Sequence, residues 1–152
     1  MILWRLTRSA FQQFDGEGAR LNGGRWNSEG IAVVYLSSTL SLAALEYLVH
    51  VDIEDVPDDL VALEIELPDD VSMEEVLIED LPADWNKSPD HPACLRRGDE
   101  WVQAGSSVLL RVPSAIIVQE SNYLLNPAHP DAARILVRDA KPFTFDARLF
   151  EA

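Results

Sequence analysis

The sequence predicts one domain of mixed α and β structure, with helices packed beside a sheet. Three observations carry this prediction. The run "IAVVYL" at 31–36 is rich in β-branched side chains and reads as a buried strand. "SST" follows it and supplies N-cap chemistry for a helix from about Leu40 to Val51. "LVALEIEL" at 60–67 alternates, with Leu63, Ile65 and Leu67 on one face and Glu64 and Glu66 on the other. The length, 152 residues, is that of one ordinary domain. A chain of this size buries roughly two thirds of its unfolded surface.

The remaining elements follow in order. "ILWRL" reads as a first strand. "SAFQQFDGEGA" is a short helix or loop that ends on the turn signal Asp15-Gly16. A glycine-rich arginine segment, "RLNGGRWNSEG", leads into the run at 31–36. The helix from Leu40 is apolar almost all round and should be largely buried. Residues 68–92 are acidic and proline-rich and read as a loop with a short helical piece, the acid run "MEEVLIED" being a solvated face. "RGDEWVQAG" predicts a short helix. "SVLLRVPSAIIVQE" predicts two strands hinged at Pro113, "SNYLLNPAHPDAARI" a loop leading into a short helix, and "FTFDARLF" a closing strand.

Composition narrows the function. Acidic side chains number 26 against 12 basic ones, for a net charge of -14. Such a field repels nucleic acid phosphates and anionic membranes, so direct binding to either is not expected, and a basic partner is favoured. An anionic ligand would need a local positive site. Cys94 is the single cysteine, which excludes a disulfide within the chain and points to a reducing compartment. It reads as a packed thiol. "MILWRLTRSAF" has no basic leader, and no apolar run approaches the roughly 18 residues that span a bilayer. A cytoplasmic location is expected. His50, His91 and His129 share no ligand spacing, so no metal is expected.

Several residues stand out for chemistry. Arg25 follows Gly23 and Gly24, which open backbone angles and permit close approach. A guanidinium held there could clamp a phosphate or pyrophosphate, with Arg20 as a second contact. The plainer reading is a turn arginine paired with a carboxylate. Tyr35 offers core packing or an aromatic face for a planar ring. Glu46 is the only charged residue between Leu40 and Val49. A carboxylate on so apolar a helix is costly unless it is paired or faces a cleft. His50 lies four residues on, within reach of the same helix face. Ser114 follows Pro113 at a strand junction, with no GxSxG elbow to make it a nucleophile.

Taken together, "ARLNGGRWNSEGIAVVYLSSTLSLAALEYLVH", "GDEWVQAGSSVLLRVPSAI" and "NYLLNPAHPDAARI" closely resemble the RES domain family. That family is named for an arginine, a glutamate and a serine, and the matching positions are Arg25, Glu46 and Ser114. The resemblance implies an α+β fold with a twisted, split sheet, similar to the ADP-ribosyltransferase core. It implies a toxin of a bacterial toxin–antitoxin pair that degrades NAD by breaking the nicotinamide–ribose bond, with water or phosphate as acceptor. Transfer of ADP-ribose to a protein, or an inactive binding module, are the alternatives. The implied partner is an antitoxin with an Xre-like helix-turn-helix domain, with a toxin homodimer inside the complex left open.

On this resemblance Arg25, supported by Arg20, would hold the pyrophosphate. Tyr35 would border the nicotinamide. Glu46 would face the oxocarbenium-like ribose. Ser114 would bond the ligand or position Glu46. Asn126 and His50 stand behind these as binding residues, and Trp26, Asp99 and Trp101 carry no assigned chemistry.

Overall fold

The computed structural model describes residues 1–151. β1 (Ile2–Arg8) lies deep in the sheet, antiparallel to both β2 (Val34–Ser37) and β3 (Leu60–Glu66). A short helix, α1 (Glu17–Asn22), separates β1 from β2, and α2 (Leu40–Leu48) follows β2 directly. Then come β4 (Met73–Glu75), α3 (Pro92–Ala104), β5 (Leu109–Pro113), β6 (Ser121–Leu125) and β7 (Leu136–Pro142). All seven strands form one sheet in the order β4-β5-β6-β2-β1-β3-β7. The β4–β5 pair is parallel and every other pair antiparallel, which makes the sheet mixed.

Alternation along each strand sorts the core onto two faces. Leu3, Val34, Leu36, Leu63, Ile65, Leu109, Tyr123 and Leu125 form one continuous cluster. The residues between them point the other way and form two separate clusters. Leu6, Leu60 and Ala62 pack with Ala43 of α2 and with Phe145. Leu110, Val112 and Leu124 pack with Trp26, Trp85, Cys94 and Trp101, which come from α3 and the loops around it. Trp4 sits directly opposite Ser37, so the two clusters share one face. β2 and β6 run between them. This face is therefore covered at both ends and divided over its centre.

Several elements differ from the sequence-based expectation, each for a local reason. α2 ends at Leu48 and is not largely buried. Of its side chains only Leu42 and Ala43 are buried, while Leu45 is 40% and the following Val49 58% exposed. The helix packs on one sheet face and against the aromatic segment near the C-terminus, which leaves the side carrying Leu45 and Val49 in solvent. The strand expected at 31–36 begins only at Val34, because the Ile31 carbonyl accepts from the Asn27 amide and holds that stretch in the loop. Part of the acid run is an edge strand: Met73–Glu75 pairs with β5, and Glu74 accepts from Ser106 and from Ser107 (3.2 Å). α3 starts at Pro92, capped by His91, whose Nδ1 accepts from the Ala93 N–H at 3.1 Å.

The largest difference is after Pro113. No strand forms at 114–120. Ser114 N–H donates to the Glu120 carbonyl and Glu120 N–H to the Ile117 carbonyl, which closes a turn between β5 and β6. "SNYLL" is β6 itself, a central strand whose Tyr123, Leu124 and Leu125 are buried. The closing strand is β7, and "FTFDARLF" instead folds back over α2. There Phe143 and Phe145 meet edge to face at 5.0 Å, and Phe145 and Phe150 at 5.9 Å. Phe145→Ala should therefore cost about 3–5 kcal/mol of stability, as large-to-small changes at buried aromatics do. Urea denaturation checks this, and an unchanged midpoint would mean the aromatic segment is not part of the core.

Candidate functional site

The divided face has a polar strip at its centre. Ser37 of β2 pairs with Asn122 of β6, and Tyr35 pairs with Leu124 one row along. Rows of like-facing residues lie about 7 Å apart along a strand. Tyr35, Ser37 and Asn122 thus line one face between the two apolar clusters.

Glu46 comes to this strip from α2. Thr39 caps that helix, its side chain accepting from the Leu42 N–H at 3.1 Å. One carboxylate oxygen, Oε1, accepts from the Ser114 hydroxyl at 2.8 Å and from the Asn122 amide at 2.6 Å. Ser114 Oγ in turn accepts the N–H groups of Ile116 and Ile117, both at 3.1 Å. Ser114 is fully buried. Its single proton is thus directed at Glu46 and its lone pairs at the backbone. Among the described residues no donor reaches the second oxygen, Oε2.

Arg25 sits in a loop built to an unusual tightness. A Cβ on Gly24 would lie 2.6 Å from the Tyr35 hydroxyl and 2.8 Å from Asn27 Oδ1, so only glycine fits. That hydroxyl accepts from the Trp26 N–H at 3.1 Å and donates to Asn27 Oδ1 at 2.7 Å. Asn27 is fully buried, and its amide donates to the Ala19 and Ile31 carbonyls. α3 closes on the loop from above: a Cβ on Gly98 would lie 1.7 Å from the Trp26 carbonyl. The next residue, Asp99, accepts from the Ser28 N–H (2.9 Å) and hydroxyl (2.5 Å). Burial pushes the Tyr35 phenol well above its usual range, and the Trp26 N–H and Arg25 charge only partly oppose this. Tyr35 therefore stays protonated, its hydroxyl committed to the arginine loop.

The Arg25 guanidinium is not paired with a carboxylate among the described residues. Nη1 donates to the carbonyls of Trp85 (3.2 Å) and Ser88 (2.9 Å), and the group stands 5.9 Å from the centre of the Trp85 ring. Trp85 packs against Trp26 at 6.2 Å. Nε and Nη2 have no protein acceptor among the described residues. In a chain with net charge -14, that is a preserved local cation.

The structure brings Glu46 and Ser114 into contact and places Tyr35 on the same face, with Arg25 close enough to act on its phenol. It does not bring in the other candidates. Arg20 lies on α1 and is bound to Glu17, Nε to Oε2 at 2.8 Å. His50 lies past the end of α2 and is exposed. Asn126 is buried at the far end of β6, about 13 Å along the strand from Asn122. Its side chain donates to the Val102 carbonyl and accepts from the Ala128 N–H, as a turn residue does. Cys94 is buried beneath Trp85, and burial raises its thiol. Among the described residues no cluster of three His, Cys, Asp or Glu side chains could hold a metal ion. No helix of the described residues is long and apolar enough to cross a membrane.

Asn122 and Ser37 were not singled out by sequence. "SST" reads as a helix cap and "SNYLL" as a loop, so neither carried a signal. A β reading of "SNYLL" puts Asn122 on the face of Leu124, which is the one available clue.

The RES domain family profile matches residues 2–146. The chain belongs to the RES domain family. The chain spans nearly the whole length of its relatives. It is 42% identical over 154 residues to Toxin Res of Pseudomonas putida, covering 99% of this chain and 100% of that one. It is 38% identical over 152 residues to a Sphingobium protein named Prs ADP-ribosylating toxin, covering 96% and 94%. Toxin Res of Photorhabdus laumondii is also 38% identical, over 155 residues, covering 100% and 99%. In three dimensions the chain resembles the crystal structure of the M. tuberculosis MbcT–MbcA toxin–antitoxin complex, with a TM-score of 0.78 and 17% identity, over 94% of this chain and 84% of that one. At that identity the likeness shows the RES fold.

Within this RES fold the Tyr35 hydroxyl ties β2 to the arginine loop. Tyr35→Phe leaves the Trp26 N–H and Asn27 Oδ1 unpartnered and should cost about 1–3 kcal/mol. Urea denaturation measures it. Undiminished stability would mean the loop stands without this tie.

Proposed function

We propose that this RES-family toxin consumes NAD by breaking the bond between nicotinamide and ribose, passing the ADP-ribose to water or phosphate. The observation that carries this is Glu46: a carboxylate held through Oε1 alone, beside the polar strip of Tyr35, Ser37 and Asn122, with Oε2 uncommitted.

The chemistry needs little more. The nicotinamide of NAD is a cationic pyridinium, so it leaves with the bonding electron pair as a neutral base and no acid is required. Positive charge then builds on the ribose, as in glycoside cleavage. Glu46 stabilises that charge, and Oε2 can take a ribose hydroxyl or orient the attacking water. Arg25 holds the pyrophosphate through Nε and Nη2, the guanidinium edge the backbone carbonyls leave open. Tyr35 presents its ring at the cleft floor. The other groups act on the protein: Ser114 holds Glu46, and Asp99 and Tyr35 hold the arginine loop.

A second reading has one observation behind it. The Sphingobium relative is named for ADP-ribosylating Prs. The same cleavage with a protein nucleophile in place of water would give a mono-ADP-ribosyltransferase. The partner we propose is an antitoxin with an Xre-like helix-turn-helix domain, which would carry any DNA contact. The MbcT–MbcA complex supports an antitoxin, and the acidity of this chain suits a basic partner acting in the cytoplasm.

Labelled NAD separates the readings: free ADP-ribose or its phosphate means hydrolysis or phosphorolysis, and label on protein means transfer. Glu46→Gln should lower turnover by about 100-fold or more, since one well-placed electrostatic group is worth about 3–4 kcal/mol in a transition state. Wild-type turnover in the folded variant would remove Glu46 from the chemistry. Arg25→Ala should chiefly weaken NAD binding, and unchanged affinity by calorimetry would make Arg25 a loop residue only.

A further inference from the structure

We propose that Asn122, backed by Ser37, is a positioning residue that sets which oxygen of Glu46 faces the cleft. The proposal rests on the NAD reading for its kinetic consequence and on geometry for its mechanism.

A glutamate in the last turn of α2 has rotatable bonds enough to sample several directions. Two donors from one hairpin remove that freedom, and both reach the same atom, Oε1. Ser114 comes from the turn end of β5. Asn122 comes from β6, where it is paired with Ser37 on one side and Val112 on the other. Its backbone is thus held from both flanks, in the middle of the sheet. The Glu46 carboxylate is therefore referenced to the interior of the sheet as well as to a turn.

Ser37 decides which way Asn122 faces. It is buried, and its hydroxyl donates to Asn122 Oδ1 at 2.7 Å. That leaves the Nδ2 end for Glu46. The reverse orientation would set Oδ1 against a carboxylate oxygen, acceptor to acceptor. A chain of donors therefore runs Ser37 to Asn122 to Glu46, and Ser114 donates to the same Oε1 from the turn after β5. The consequence is a carboxylate whose remaining lone pairs, on Oε2, are the ones presented to the ribose. The energy of these hydrogen bonds is spent before substrate arrives, which is how a preorganised site lowers a barrier.

The test is steady-state nicotinamide release by the full chain carrying Asn122→Ala, Asn122→Asp or Ser37→Ala, with melting temperatures measured alongside. Asn122→Asp keeps the shape and replaces the donor with an acceptor. We expect Asn122→Ala and Asn122→Asp to lower kcat by about 10-fold or more, with KM for NAD changed by no more than about twofold. Ser37→Ala should show a smaller kcat loss of the same kind. Wild-type kcat in a folded Asn122→Asp protein overturns the proposal, as does a loss confined to KM.

A stability cycle with Glu46→Ala gives a readout that needs no turnover. The double variant Asn122→Ala with Glu46→Ala should melt no lower than the less stable single variant. Additive falls in melting temperature would overturn the positioning role. If the wild-type chain releases no nicotinamide at all, the NAD reading fails on its own, and this cycle alone decides between positioning and none.

Discussion

A carboxylate on an apolar helix, packed against an apolar sheet, must be met by donors or it will not stay. That constraint organises the site. α2 packs its Ala43 onto the cluster of Leu6, Leu60 and Ala62, and this fixes where Glu46 emerges. The donors come from the turn after β5 and from β6, on the far side of β2. Ser114 stands 68 residues from Glu46 in sequence and Asn122 stands 76 away. The turn at 114–120 exists in the form it does because Ser114 Oγ takes two of its N–H groups. The same hydroxyl therefore shapes the turn and holds the carboxylate.

The positive side of the site meets the opposite problem. In an acidic protein an arginine is readily neutralised by a neighbouring carboxylate, as Arg20 is by Glu17 and Arg134 by Asp70. Arg25 avoids this because its loop is closed by neutral or already committed groups. Tyr35, Asn27 and the Trp26 backbone lock the inside of the loop. Asp99, the nearby acid, is occupied by Ser28. The carbonyls of Trp85 and Ser88 then take one nitrogen of the guanidinium without cancelling its charge. The glycines serve the protein as well as any ligand: Gly24 makes room for the Tyr35 hydroxyl and Gly98 lets α3 close on Trp26.

Both halves of the site thus depend on the division of one sheet face. α2 and the aromatic segment at 143–150 cover one end, and α3 with the arginine loop covers the other. Each half holds its functional group by hydrogen bonds to its own surroundings. β2 and β6 form the floor between them, and supply Tyr35, Ser37 and Asn122 from adjacent rows.

The sequence by itself determined a good part of this. Glu46 was legible because a single charge in an apolar helix is a local anomaly. Arg25 stood out by its two glycines, although the stretch alone favoured a turn arginine paired with a carboxylate. The mixed fold class was legible from the alternation at 60–67, and the α2 cap from Thr39. These features depend on near neighbours along the chain. Tertiary structure alone decided the rest. Which asparagine meets Glu46 was decided when β6 was placed between β2 and β5, which brought Asn122 to Glu46 and left Asn126 in a turn. Ser37 reaches Asn122 across 85 residues, and no local pattern encodes that meeting. The exposed side of α2 was decided in the same way, since hydrophobicity tells a helix to seek cover but only the sheet's two-sidedness says how much cover there is.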